Sequence, residues 1–291
     1  MRFSKQRHPA RMLLVGGMMA ILGALLVAPT AMASSHNPTG EFKEFGECPL
    51  NTPAVEECVF SVTNGGSFVV GKKTVPLVNP VTLQGGLAPG EGEALFVAAE
   101  NGQTLSKTPQ PVPGGLTGIV APTWWPKFIQ DWFNDQINKG FTGVNATVEL
   151  AAPASKIKIS TENLINQEGT ALGLPIKVKL DNALLGSNCY IGSNSKPIQI
   201  DFTTGTSGAL KGSVGEITFN EAFTLVTISG GKLVNGTFAS PGASGCGGIF
   251  SFFIDPLVNS ILGTPSASGK NSATLEGVLK NATANAVKAS E

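Results

Sequence analysis

After residue 33 the chain has no arginine and a single histidine, His36; tyrosine occurs once, at Tyr190. Each shortage removes a class of function. Arginine supplies the planar fork that grips phosphates and guanine edges, so nucleic acid is not an expected partner. One histidine leaves no material for a Ser-His-Asp hydrolase, a Cys-His protease or a multi-histidine zinc site. No C-x-x-C pair, G-x-S-x-G elbow, P-loop or dinucleotide fingerprint occurs, and no D-x-D-x-D-G calcium loop. Beyond the first apolar run, none reaches the ~20 residues of a membrane span. The sequence therefore assigns no catalytic residue, no metal and no cofactor.

What is present begins with an export signal. Arg2, Lys5, Arg7 and Arg11 precede an apolar run, Met12 to Val27, followed by Pro29 and Ala31-Met32-Ala33. Charged, apolar and small-residue regions in that order make a secretory signal peptide over residues 1–33, cut after Ala33. Of the 291 residues this leaves 258, with 16 lysines against 20 acids, a net charge of −4. The protein is expected outside the cell or on its envelope. All four cysteines follow the signal, as cross-links of an exported chain would. Three pairings are possible. The favoured one joins Cys48 to Cys58 across a short proline-containing loop and Cys189 to Cys246 over a long one.

Thirty-six glycines and 19 prolines with few charges describe many short strands broken by turns. The clearest pair lies in Gly173 to Thr206. There Ile176, Val178 and Leu180 alternate with Lys177 and Lys179, and Ile198, Ile200 and Phe202 with Gln199 and Asp201. Period-two alternation buries one face of each strand. The expected fold is mainly β, an antiparallel sandwich or partly closed barrel, with one amphipathic helix packed across it and a short second helix. The proline-rich stretch Thr108 to Gly115 suggests a boundary. It divides a disulfide-clipped β subdomain (34–115) from a main β-rich domain (116–263). Residues 264–291 read as a polar tail, with the spacing of one weak helix at Leu275, Val278, Leu279, Ala282 and Ala286.

The first helix is predicted over 126–139. Pro126 suits its first turn and Gly140 its stop. Trp125, Phe128, Ile129, Trp132, Phe133 and Ile137 recur at helical spacing, with polar residues opposite. The second helix is predicted from Pro256 to Leu262, capped by Asp255 and stopped by Gly263. Burying a tryptophan removes roughly 150–250 Å² from water, about 4–6 kcal/mol. The stripe is therefore expected either to be core or to line a site for an apolar ligand through Trp124, Trp125, Phe128 and Trp132. Both readings bury Phe128 and Trp132, and both compete with docking on an envelope surface. Four acids in the strand-rich region, Asp181, Asp201, Glu216 and Glu221, would have to face each other in a cleft for glycoside-type hydrolysis. They are read as solvated.

Three stretches carry a resemblance: TVPLVNPVTLQGGL from Thr74, TLSKTPQPVPGGLTGI from Thr104 and LDNALLGSNCYIGSNSKPI from Leu180. With the Cys48 to Cys58 loop, the pattern resembles a group of uncharacterised secreted proteins of actinobacteria. The resemblance implies export and a bacterial source, and transfers no activity. The expected function is a non-catalytic exported protein. It binds an apolar or amphiphilic small molecule or cell-envelope material. The alternatives are a surface structural or adhesion protein and a carboxylate-based hydrolase.

Overall fold

Alternating side chains give strands that bury one face each, and the strands assemble into two antiparallel sheets. The computed structural model describes residues 36–90, 94–139 and 141–291; the predicted signal peptide (1–33) and the predicted helix stop Gly140 lie outside the described residues. In chain order come β1 (Glu57–Val70), β2 (Lys73–Pro76), β3 (Val81–Ala88), β4 (Leu95–Ala98), β5 (Gln110–Pro111), helix α1 (Lys127–Lys139) and β6 (Asn145–Leu150). Then follow β7 (Lys158–Ile159), helix α2 (Thr161–Asn166), β8 (Leu172–Asp181), β9 (Tyr190–Ile191) and β10 (Ile198–Phe202). A small hairpin, β11 (Thr206–Ser207) and β12 (Leu210–Lys211), leads to β13 (Glu216–Phe219) and β14 (Leu225–Asn235). The last elements are β15 (Ala243–Ser244), helix α3 (Ser251–Leu262), β16 (Ser272–Thr283) and helix α4 (Ala284–Ala289).

The first sheet has the order β13-β14-β16-β1-β3-β4, with β2 also on β1; the second has β15-β9-β8-β6-β5, with β10 and β7 also on β8. All of these pairings are antiparallel. Their inner faces meet in one core, with Val59, Leu83 and Phe96 from the first sheet against Ile176, Ile198 and Phe202 from the second. Strand β10 follows the predicted alternation: Ile198, Ile200 and Phe202 are buried, Gln199 and Asp201 exposed. This is a β-sandwich, without closure into a barrel.

The C-terminal reading needs correction. Strand β16 pairs with β1 from Glu57 to Val69 and with β14 from Leu225 to Asn235. The supposed polar tail is a central strand, and it binds the 34–115 segment into the same sheet as the rest. Its small and polar residues conceal it because two flanking strands, not its own side chains, supply its ladder. Ser229-Gly230-Gly231 forms a bulge inside β14. A second bulge falls between Thr63 and Gly65 of β1. Gly277 sits between the two, where a Cβ would come within 2.0 Å of the Val62 carbonyl oxygen. Only glycine lets the three strands bend together there.

His36, three residues past the predicted cleavage site, is pinned by Glu100 Oε2 at 3.2 Å and Glu291 Oε1 at 2.5 Å. Two local readings also change. Helix α3 starts at Ser251, so Pro256 lies inside it and Asp255 is not its cap. Gly263, with φ of 71°, does end it. Disulfides join Cys48 to Cys58 and Cys189 to Cys246. Among the described residues, no helix is long and apolar enough to cross a membrane.

Candidate functional site

Between the sheets the core is not filled. A cavity of about 80 Å³ lies at one end, walled by Phe68 and Val75 on the first sheet and Val148, Val178 and Leu180 on the second. A second space of about 60 Å³ shares Phe68, Leu77, Val148 and Ile176 with it. A third, of about 70 Å³, shares Leu83, Leu172, Leu233 and Leu275 with the second. Divided by these shared walls, the three adjoin one another in a narrow apolar row, the channel. From Val70 back to Ser61 it follows β1 for roughly 30 Å at about 3.3 Å per residue. Each space exceeds the volume a water needs, yet offers water few partners. Gln110 in the wall is buried with its amide committed: Oε1 accepts from Val78 N and Asn79 N, and Nε2 donates to the Asn79 carbonyl at 2.8 Å.

The mouth is a ring of five segments. Helix α3 meets the β1–β2 turn where Lys72 N donates to the Leu262 carbonyl at 2.7 Å. Lys73 reaches the 114–118 turn, its Nζ lying over Gly118. That turn joins the 141–143 loop through Leu116 N to Thr142 O, 2.8 Å. Asn182 Nδ2 then donates to the carbonyls of Phe141 and Gly143 at 3.0 and 2.6 Å. Gly247 N donates to Leu185 O at 2.7 Å, returning to the start of α3. Gly115, Leu116, Leu185, Val258 and Leu262 from this ring line the first cavity. Lys73 is the one charged lining residue there, and its ammonium has no ion-pair partner among the described residues.

Helix α1 stands on this ring by its two feet. It is an insertion in the β5–β6 hairpin, whose ladder continues through Val112 N to Val144 O. The stripe predicted from its spacing is divided. Trp125, Ile129, Phe133 and Ile137 are half-buried, and Trp125 meets Phe133 edge-on at 5.5 Å. Phe128 is 74% and Trp132 64% exposed, so the expectation that both are buried fails. A helix held only at its feet has no sheet beneath its outer face. Trp124 is 81% exposed. None of the four residues proposed to line a ligand site walls the channel; they stand around its mouth. Across the ring, Ile249, Phe250, Phe252, Phe253 and Leu257 are exposed as well.

The candidate acids are not brought together. Asp181 pairs with Lys179 at 2.5 Å at the mouth end of β8. That contact holds the Lys179 ammonium above its usual range. Asp201 accepts from Gln199 Nε2 beside the other end of β8, while Glu216 lies on an edge strand of the first sheet and Glu221 in the turn beyond it. Among the described residues no group of three His, Cys, Asp or Glu side chains is placed to hold a metal ion. Sequence reading missed the channel wall because its residues look like ordinary core. Period-two alternation reports which face is inward and does not distinguish a cavity-lining position from a packed one. Comparisons with protein-family models, curated sequences and solved structures gave no match.

Proposed function

We propose that this is an exported, non-catalytic protein that holds the hydrocarbon chain of an amphiphile in the channel between its sheets. The observation that carries the reading is the run of three adjoining apolar cavities, the first of which has Lys73 as its one charged lining residue. A long, thin, apolar space suits an extended chain better than a compact ring system. Lys73 gives the polar head a cation at the mouth, so an acidic head is preferred over a neutral one. Two disulfides and a signal-like N-terminus support the extracellular setting.

The test uses a polyene fatty acid whose emission rises in apolar surroundings, together with native mass spectrometry of protein from its secreting host. The parent should take up one chain per molecule. Val148→Phe, at the neck shared by the first two cavities, should lose long-chain uptake while retaining short chains. Lys73→Met should reduce binding of the acid relative to the matching alcohol. A parent that takes up no probe and carries no retained mass refutes the reading.

A further inference from the structure

Helix α3 is apolar on both sides: Val258 and Leu262 line the cavity while Phe252, Phe253 and Leu257 face out, and its polar side chains are spent on neighbouring backbone. Asp255 accepts from Gly245 N and Cys246 N at 3.1 and 2.7 Å, and Asn259 binds both N and O of Ala243 at 2.6 and 2.9 Å. Its phenylalanines, Phe252 and Phe253, face out. A surface helix in water does the reverse. Helix α1 repeats the theme across the mouth. Gln130 donates to the Thr123 and Trp125 carbonyls, Asn134 accepts from Ala121 N, and Lys127 pairs with Asp131 at 2.8 Å. Asn182, between them, spends its amide on backbone carbonyls. The collar formed by 114–137, 141–143, 182–186 and 247–263 thus directs much of its polar capacity at itself and presents hydrocarbon outward.

We propose that this collar docks on a lipid layer of zwitterionic headgroups and sets the channel mouth against the acyl region. The inference rests on the channel reading above and names where its occupant comes from. Three observations select this partner. A protein interface carries about one hydrogen bond per 100–200 Å², and the collar's amides are already committed. Exposed tryptophan and phenylalanine suit the boundary between headgroups and hydrocarbon. With Lys72 and Lys73 of the β1–β2 turn and Lys139 at the end of α1 included, the sequence of the mouth holds four lysines against three aspartates, too small an excess to favour an anionic surface over a zwitterionic one. The apolar surface is also continuous with the channel: Leu116, Leu185 and Val258 face the cavity while Phe141, Leu184 and Leu257 in the same segments face out.

Flotation with phosphatidylcholine vesicles tests this. The parent should float, with no gain from added anionic lipid and no loss at high salt, and brominated lipid should quench Trp124 and Trp132. A Phe252→Ser, Phe253→Ser double variant should lower the bound fraction on the order of tenfold or more. It should remain folded and still take up the polyene fatty acid from water. Val148→Phe should float normally while refusing the long chain, which separates failure of docking from failure of the channel. Binding that requires anionic lipid overturns the proposal. So does failure to float, including the case in which the protein instead self-associates and shields Trp124 and Trp132 against a second copy.

Discussion

At the Glu57 end of β1, Phe45 and Val287 are fully buried around the Cys48–Cys58 bridge, and Phe45 meets Phe60 edge-on at 6.5 Å. Charged contacts surround that cluster: Lys280 to Glu44 at 2.6 Å, Asn281 to Glu57 at 2.8 Å, and His36 between Glu100 and Glu291. At the Val70 end, roughly 40 Å away along the strand, Phe252 and Phe253 face solvent while Asp255 and Asn259 are spent on neighbouring backbone. Each end has one disulfide, since Cys189–Cys246 lies just behind the collar. The same residue type thus does opposite work at the two ends. Aromatic surface buried at one end stabilises the fold. At the other it contributes little to folding and remains available for association.

The largest effect that tests this contrast is at the closed end. Phe45→Ala should cost about 3–5 kcal/mol in denaturant unfolding, a large share of a domain's stability of about 5–15 kcal/mol. Removing the bridges comes next. By chain entropy the loss of Cys189–Cys246, whose partners are separated by 57 in sequence, should cost about 4 kcal/mol. The loss of Cys48–Cys58, separated by 10, should cost up to about 3 kcal/mol. Paired Cys→Ser variants compared in non-reducing unfolding give the order. A larger loss at Cys48–Cys58 would mean that the closed end depends on its clip more than on its loop length.

Much of the closed architecture was legible because periodicity reports local facing. Ile198, Ile200 and Phe202 alternate in sequence and alternate in burial. Gly263 ends α3 because only a residue at ease with positive φ closes a helix that way. The open end was not legible for a physical reason. Helical spacing in Trp125 to Ile137 identifies an amphipathic helix but not what lies beneath it, and here a hairpin insertion holds it by its feet. Asp255 looked like a cap because caps and turn-binding carboxylates use the same side chain. Strand β16 was hidden because Ala273, Gly277 and Ala282 are small where neighbouring strands crowd in, and small residues carry little pattern.

A smaller effect belongs to the outer face of the second sheet near the mouth. Burial pushes the Tyr190 phenol above its usual range, and the hydrogen bond with Asp181 does the same for Lys179. In both cases the folded chain keeps a proton that the unfolded chain releases. Their contribution to stability is therefore complete below about pH 10 and is lost as pH rises through the folded values. Tyr190 is the chain's one tyrosine, so alkaline absorbance reads it directly. The expected midpoint lies above that of free phenol in the same buffer, and Tyr190→Phe should soften the alkaline loss. A midpoint at or below the free value would place the ring in water.

The smallest expected effect is the most diagnostic. Phe128→Ala removes a whole ring from α1, a change that costs about 3–5 kcal/mol in a core. Because Phe128 is 74% exposed and nothing covers it in the isolated chain, the expected change in unfolding free energy is within about 0.5 kcal/mol. The comparison with Phe45→Ala then isolates burial from chemistry, since both variants lose the same side chain. The measurement is denaturant unfolding of dilute monomer, with the slope checked to be equal in parent and variants. A cost at Phe128 matching that at Phe45 would mean that α1 lies folded against the body in solution, and the two ends would not differ in kind. A near-zero cost without lipid, rising when vesicles are present, would place the work of the ring in association.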